Sequence, residues 1–472
     1  MFKKSIALVL SLLLLAGAFA VGASAAGPID YTIVNPYENV DWDTYQQYRA
    51  ALHNHSTVSD GDDEFYEMVE RYYEVGYDIL AMTDHGTVDR SWVDVNYVPA
   101  IRALLSQSLT GSQGLTQERF EEITNGVGRD GQIMLRVPFG IELNAASPNN
   151  THINSWFADY GNGMLGAASD YETGLKGVQE AGGLCVINHP GEYTNQRDVY
   201  DPSKAYEGGL DNYYVKKFAN LLVKYPACLG IDINSKTDTR TKNDRILWDY
   251  LLMSVIPEGR NVYAIASSDA HRFNVVGCGW TVMLMPENTT EALRTSLENG
   301  SFFAASMYIK NKNELTFIKE QLGDEFNYNI DGQEWEWIAD NTVDSAGTPI
   351  PNNPAPVVNR VTTGDNKISL DVDNEKLIYW VADGKIIATG NEIDLNDYSD
   401  QIGSYVRAEI FGDGGILYSQ AFMLDYEGAP TSVLNPVVDG GSIFGKIWHA
   451  IWSFFFNHPI FAKLREWATG NK

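Results

Sequence analysis

From about residue 49 to residue 305, short apolar runs alternate with stretches whose apolar residues recur every three or four positions. The runs that read as strands are RAALHNHS, DILAMTDHG, IMLRVPFGIELNA, THINSWFA, GLCVINHP, LGIDINS and VYAIASSDAH. They are almost continuously apolar, as strands covered on both faces are. Between them, DDEFYEMVERYYEVG sets Phe65, Met68, Val69 and Tyr72 on one helical face, with Asp62 and Asp63 suited to the helix start and Gly76 to its end. KKFANLLVKYP, KNDRILWDYLLMS and TTEALRTSLENG repeat the theme. Strand–helix alternation predicts an α/β fold on a parallel sheet, and seven strands predict a closed or distorted barrel. Residues 91–133 read as an inserted, partly helical loop able to cover one rim.

Beyond residue 305 the period changes. Residues 306–354 form a connecting segment that ends in the proline-rich linker TPIPNNPAP. From 355 to 428 apolar and polar residues alternate: KISLDV puts Ile368, Leu370 and Val372 on one face, and YVRAEIF does the same with Val406, Ala408 and Ile410. Asp383-Gly384 and GDGG at 412–415 are hairpin signals. A small all-β sandwich of immunoglobulin-like type is expected. After a linker at 429–441, residues 442–472 carry Ile443, Phe444, Ile447, Trp448, Ile451, Trp452 and Phe455 as a helical apolar stripe, with Lys446, Lys463, Arg465 and Lys472 against Glu466. This amphipathic tail is shorter than the roughly 20 apolar residues that span a bilayer. It either lies in a membrane interface, associating the protein with the cell envelope, or docks on the sandwich as core.

Composition narrows the setting. Residues 1–25 combine Lys3 and Lys4, an apolar run and the small-residue site Ala23-Ser24-Ala25, which is the pattern of a secretory signal peptide. A secreted or extracellular location follows, with the mature barrel domain beginning near residue 26. Removing Lys3 and Lys4 takes the formal charge from −28 to about −30. A chain this acidic repels nucleic-acid polymers but suits an acidic cleft that gathers divalent cations. Cys185, Cys228 and Cys278 are too few and too strand-embedded for a disulfide framework and read as small core residues.

The chemistry lies in the histidines, of which the chain has eight. His53 and His55 end the first strand and Asp60 follows in its loop. Asp84 and His85 end the second, Glu142 lies near the end of the third, and His152 comes by the fourth. His189 ends the fifth, and Asp269 and His271 end the last. In α/β barrels that face is where sites are built. Each piece alone is weak, but so many imidazoles and carboxylates at one rim are costly to bury without compensation. Metal ions supply it. Imidazole with carboxylate suits manganese, iron or zinc, and the absence of thiolate argues against a closed structural zinc site. Six imidazoles and at least three carboxylates exceed the needs of one ion and fit two or three divalent ions with a bridging carboxylate.

The motifs HNHSTVSDG, ILAMTDHGTV, GIELNA, INHPGEY and ASSDAH, in this order, resemble those of the PHP (polymerase and histidinol phosphatase) superfamily across residues 49–305. The resemblance implies a distorted seven-stranded (βα)7, TIM-like barrel, a trinuclear metal site and phosphoester hydrolysis. It implies that His53, His55, Glu142 and Asp269 hold one ion, that Glu142, His152 and His189 hold a second, and that Asp60, His85 and His271 hold a third. Asp84 is then an orienting residue behind the ligands. Where relatives often carry a glutamate in a G-I-E motif after INHP, this chain has Asp232 in GIDINS, which touches the pocket wall.

Such a centre activates water against a small-molecule or glycan phosphoester, with Asp60, His85, Glu142 and Asp269 as the catalytic candidates. Arg272, Arg197, Lys236 and Arg90 are candidate phosphate-binding cations. Trp92, Tyr97, Tyr193 and Asn195 stand near the mouth, either to stack on a substrate or to pack the inserted loop. The rival functions are hydrolysis of an amide or cyclic ester by the same cluster, and a cell-surface binding protein on an enzyme-derived barrel. Neither a Walker-type phosphate loop nor a Ser-His-Asp pattern is present.

Overall fold

The computed structural model describes residues 28–105, 110–144, 151–163, 171–235, 239–326, 336–432 and 434. The expected signal peptide, the amphipathic tail, most of the 429–441 linker and Lys236 lie outside the described residues. The strands up to residue 306 are β1 (Thr32–Val34), β2 (Gln46–Ala51), β3 (Ile79–Leu80), β4 (Leu135–Arg136), β5 (Ile141–Asn144), β6 (His152–Trp156), β7 (Leu184–Ile187), β8 (Cys228–Asp232), β9 (Tyr263–Ile265), β10 (Gly279–Met285) and β11 (Phe302–Ser306). The helices are α1 (Phe65–Glu74), α2 (Pro99–Leu105), α3 (Gln117–Thr124), α4 (Tyr171–Glu180), α5 (Tyr213–Lys224), α6 (Asp244–Val255), α7 (Thr290–Asn299) and α8 (Lys312–Leu322).

The fold is mixed α/β with a large β-rich C-terminal region. One sheet runs β5-β6-β7-β8-β9. In the other, β2 pairs in parallel with β3, β3 in parallel with β4, and β10 lies antiparallel between β2 and β11. Two isolated parallel bridges, Asn54 with Ala270 and His85 with Glu142, connect the tips of the two sheets. Apart from β1, β4 and the first half of β2 the strands are buried along nearly their whole length, so each interior Ile, Leu or Val contributes about 1.5–3 kcal/mol relative to exposure. Helix α1 buries Phe65, Met68, Val69 and Tyr72 as the periodicity predicts. Cys185 and Cys228 are register neighbours on β7 and β8, and all three cysteines are buried and free.

Two sequence expectations are corrected. The sheet is not uniformly parallel, because β6 runs antiparallel to both β5 and β7. The seven residues between Asn144 and His152 allow a hairpin, whereas a parallel crossover needs about a dozen. The run IMLRVPFGIELNA is two strands, since Pro138 interrupts the ladder, Phe139 adopts φ 61° and a Cβ on Gly140 would strike the Met82 carbonyl. The described residues of the inserted segment 91–133 do not line the cavity at the rim. They pack against α1, where the Arg119 guanidinium pairs with Glu70 (2.7 Å), and against the loop between β2 and α1, where Ser112 Oγ lies 2.8 Å from Thr57 Oγ1 and Gln113 N–H donates to Glu64.

The C-terminal strands are continuous with the rest. Gly415–Tyr418 pairs antiparallel with β11 and with Tyr405–Gly412, which pairs in turn with Leu377–Ala382 and Phe422–Asp425. Strand β1 completes this edge against Phe422–Asp425. A separate sheet joins Val357–Gly364, Lys367–Asp373 and Glu392–Asp394. Asp383-Gly384 turns between Leu377–Ala382 and Lys385–Thr389 with both residues at positive φ, as a two-residue hairpin requires. Both faces of Tyr405–Gly412 are buried, so the alternation that predicts a solvated face for Arg407 and Glu409 fails. Helix α6 covers that face.

Candidate metal centre

The ends of the strands bring nine sequence-selected side chains into one cluster. His53 and His55 follow β2, His85 follows β3, Glu142 is on β5, His189 follows β7, and Asp269 and His271 follow β9. His152 arrives differently: it begins β6, opposite Asn144 at the end of β5, because β6 runs antiparallel. Every one except Asp60 and His271 is buried, and those two are partly exposed.

Glu142 is the hub. Its Oε1 lies 2.7 Å from His152 Nδ1 and 3.4 Å from His189 Nε2. Its Oε2 lies 3.3 Å from His53 Nε2, 3.2 Å from His55 Nε2 and 3.0 Å from His85 Nδ1, yet accepts no well-formed hydrogen bond. Asp269 Oδ1 stands 3.2 Å from His53 Nε2 and 3.1 Å from His55 Nε2, and those two nitrogens are 3.1 Å apart. Asp60 Oδ2 is 3.3 Å from both His85 Nε2 and His271 Nε2. Donor atoms about 2.1 Å from a shared tetrahedral or octahedral centre stand about 3.0–3.4 Å apart. The cluster therefore fits cation coordination better than hydrogen bonding. Four overlapping groups have the spacing to hold an ion: His55/Asp60/His85/His271, His53/His55/Asp269, His53/Glu142/His189 and His85/Glu142/His152.

Without an ion the charges act on one another. Burial opposes charge on His53, but Asp269 and Glu142 outweigh it and lift its pKa to about 10. His85 is raised against the same burial by Glu142 and Asp60. Burial opposes ionisation of Glu142 and Asp60 too, yet the surrounding imidazoles hold both well below the usual carboxylate range. Two of the cluster residues sit in the left-handed region, His189 at φ 26° and Asp269 at φ 48°. Such conformations cost of order 1–3 kcal/mol and persist where the surroundings enforce them.

The supporting residues have distinct tasks. Asp84 accepts from Ser56 N–H (2.8 Å), Ser59 N–H (3.1 Å) and both serine hydroxyls, which shapes the loop carrying Asp60. Asp232 does more than line a wall: its Oδ2 is 3.7 Å from His53 Nδ1 and accepts from the Ser267 hydroxyl. The cluster opens into a cavity of about 480 Å³, also lined by Glu192, Tyr193, Arg240 and Arg272. Tyr193 stacks on the His152 ring at 4.6 Å, while Trp92 is buried and donates to Asp89. Arg272 reaches the cavity and faces Asp62 at 3.5 Å. Arg90 and Arg197 are not among the lining residues. Arg90 is held in a two-point pair with Asp159, and Arg197 is turned towards Asp198. Arg240, missed in the sequence, takes the place expected for them and pairs with Glu192. TDTRTKND carries no pattern that distinguishes this arginine, whereas Glu192 is recoverable as the third residue after His189.

No protein of curated function matches the chain. Among solved structures, the chain is similar to a two-domain protein from Bacteroides vulgatus described as containing a predicted PHP-like metal-dependent phosphoesterase. Identity is 14%, 85% of this chain and 91% of that one are covered, and the TM-score is 0.39. PsfC from Pseudomonas syringae is 17% identical over 53% of this chain and 87% of its own, with a TM-score of 0.30. An amidohydrolase from Chromobacterium violaceum is 17% identical over 47% and 87%, with a TM-score of 0.26. With scores this low, these likenesses decide nothing about the chain. The model of a family described as PHP-associated matches residues 258–302, the stretch that contains Asp269 and His271.

Proposed function

We propose that this chain is a metal-dependent phosphoester hydrolase of the PHP type, using two or three divalent ions (manganese, iron or zinc) held by the nine clustered side chains. The observation that carries the reading is Glu142, which turns one oxygen towards His152 and His189 and the other towards His53, His55 and His85. A carboxylate so placed suits a bridge between ions. The pairing β2-β3, β5-β6-β7-β8-β9 and the two bridges at Asn54 and His85 support reading the ring as a distorted seven-stranded barrel. The match at 258–302 supports the superfamily. The strands after residue 355 support an immunoglobulin-like module grafted edge to edge onto that barrel.

Divalent ions bound there would neutralise charge on a phosphoryl group and would lower the pKa of water towards neutrality. The chain's own groups do the rest. Arg240 and Arg272 reach the cavity and bind the outer phosphoryl oxygens, Arg240 exchanging its Glu192 partner for the substrate. Asp60, His85 and His271 would hold the ion nearest the mouth through Oδ2 and the two Nε2 atoms, and the proton given up by the attacking water passes through solvent at this partly exposed rim to the departing alkoxide. Glu142, His53 and His55 are fully buried and exclude bulk water. The cavity suits a small-molecule or glycan phosphoester. We infer export from residues 1–25 and envelope association from the basic, apolar tail.

The test is hydrolysis by the manganese-loaded chain of a phosphomonoester panel beside amides and cyclic esters. Phosphomonoester turnover that chelation abolishes is expected. Amide turnover alone, or a loaded chain inert to every substrate, contradicts the reading.

A further inference from the structure

His189 is the cluster residue whose backbone is least relaxed, at φ 26° and ψ 55°, and it is followed at once by the short turn Pro190–Glu192. The turn's own bonds, Glu192 N–H to the His189 carbonyl (3.1 Å) and Tyr193 N–H to the Pro190 carbonyl (3.0 Å), fix its shape and not its place in the molecule. Its place is set from outside. Gly191 N–H donates to Asp244 Oδ1 at 2.6 Å, and Asp244 is the first residue of α6, fully buried. The approach is so close that a Cβ on Gly191 would collide with the Asp244 carboxylate.

Helix α6 is itself fixed by the C-terminal region. One residue on, Arg245 Nη1 donates to Glu409 Oε1 (2.6 Å) and its Nη2 lies 2.7 Å from Glu314 Oε2. One turn further, Asp249 accepts two bonds from Arg407 (2.8 and 2.9 Å) and one from the Tyr405 hydroxyl (2.7 Å). A continuous path therefore runs from strand Tyr405–Gly412 through α6 to the turn behind His189.

We propose that Asp244 is a positioning residue for His189: by taking the Gly191 N–H it anchors the turn that aims the imidazole at Glu142 and Asp269, and α6, clamped by Arg407 and Glu409, carries that anchor. The inference rests on the metal-centre reading for its consequence, but the placement of His189 is measurable without any ion. Burial pushes the Asp244 carboxyl well above its usual range against the Gly191 bond, so asparagine presents the same acceptor as the neutral acid.

The experiment uses the full chain with ¹⁵N-labelled histidine, the His189 ring resonances being assigned by loss in His189→Gln. Asp244→Ala shifts those resonances in the metal-free chain and weakens cobalt binding about ten-fold or more, while Asp244→Asn keeps both near the parent values. Asp244→Leu, which fills the space without an acceptor, reproduces the alanine result and stands in for it where the alanine variant does not fold. Asn243→Ala, which removes bonds to the Gln196 and Val199 carbonyls, lowers thermal stability without moving His189. His189 resonances unchanged in the alanine and leucine variants, or shifted equally in the asparagine variant, overturn the proposal. A parent chain that takes up no cobalt overturns the metal reading instead, and the metal-free resonances still decide the positioning.

Discussion

At the scale of single residues, the chain's sparse histidines and its buried acids explain one another. The motifs exposed the cluster residues, because imidazole and carboxylate at strand ends leave a pattern that apolar strands do not hide. They did not expose the cations. Arg90 and Arg197 look as available in the sequence as Arg240, and only the fold separates them: Arg90 is tied to Asp159 and Arg197 lies against its neighbour Asp198, both away from the cavity that Arg240 lines. Nor did the sequence reveal the role of Asp232, which becomes the partner of His53 because the end of β8 meets the end of β2 at the site. Asp232→Asn should lower metal affinity about 10–100-fold with little change in unfolding midpoint, measured by competition with a chelating dye. A second residue gives a pH dependence. Burial lifts Asp89 to about 6 despite the opposing pull of Arg136. With the folded value above the unfolded one, the stability that Asp89 contributes is complete below about pH 4 and disappears as pH rises through 6. Its loss is on the order of 3 kcal/mol. Asp89→Asn should flatten this part of the stability–pH curve in denaturant titrations between pH 4 and 7.

At the scale of elements, helices with a single apolar stripe were legible and strands only in part. The spacing of Phe65, Met68, Val69 and Tyr72 predicts α1 because one face decides its burial. Strand direction is invisible to hydrophobic pattern, so the reversal of β6 shows only in the short Asn144–His152 connection and the pairing it permits. That reversal is what delivers His152 to the site. Burial of the polar face of Tyr405–Gly412 was equally hidden, since alternation assumes water on one side. Arg407 instead forms a buried two-point pair with Asp249 and lies over the Trp248 ring at 4.6 Å. Removing one partner of such a pair leaves a buried charge uncompensated. Arg407→Met should therefore destabilise the chain by about 3–5 kcal/mol, read as a shift in the denaturant midpoint at unchanged slope.

At the scale of the whole molecule, the β-rich C-terminal region is no appendage on a flexible tether. It shares a sheet with β11, and its charges meet α6, which stands behind the cavity. The proline-rich linker suggested two bodies, but a linker's composition says nothing of the pairing made beyond it. The molecule's organising feature is the rim where strand ends from both sheets converge and where the acids and imidazoles neutralise one another best around cations. The most direct test of that claim is the metal content per chain after dialysis, for the parent and for the His53→Ala/His55→Ala variant, by elemental analysis. The account predicts two or three equivalents in the parent, with at least one equivalent and all phosphoester turnover lost in a variant that remains folded. A parent that retains no manganese, iron or zinc, or a variant that keeps the full complement, would contradict it.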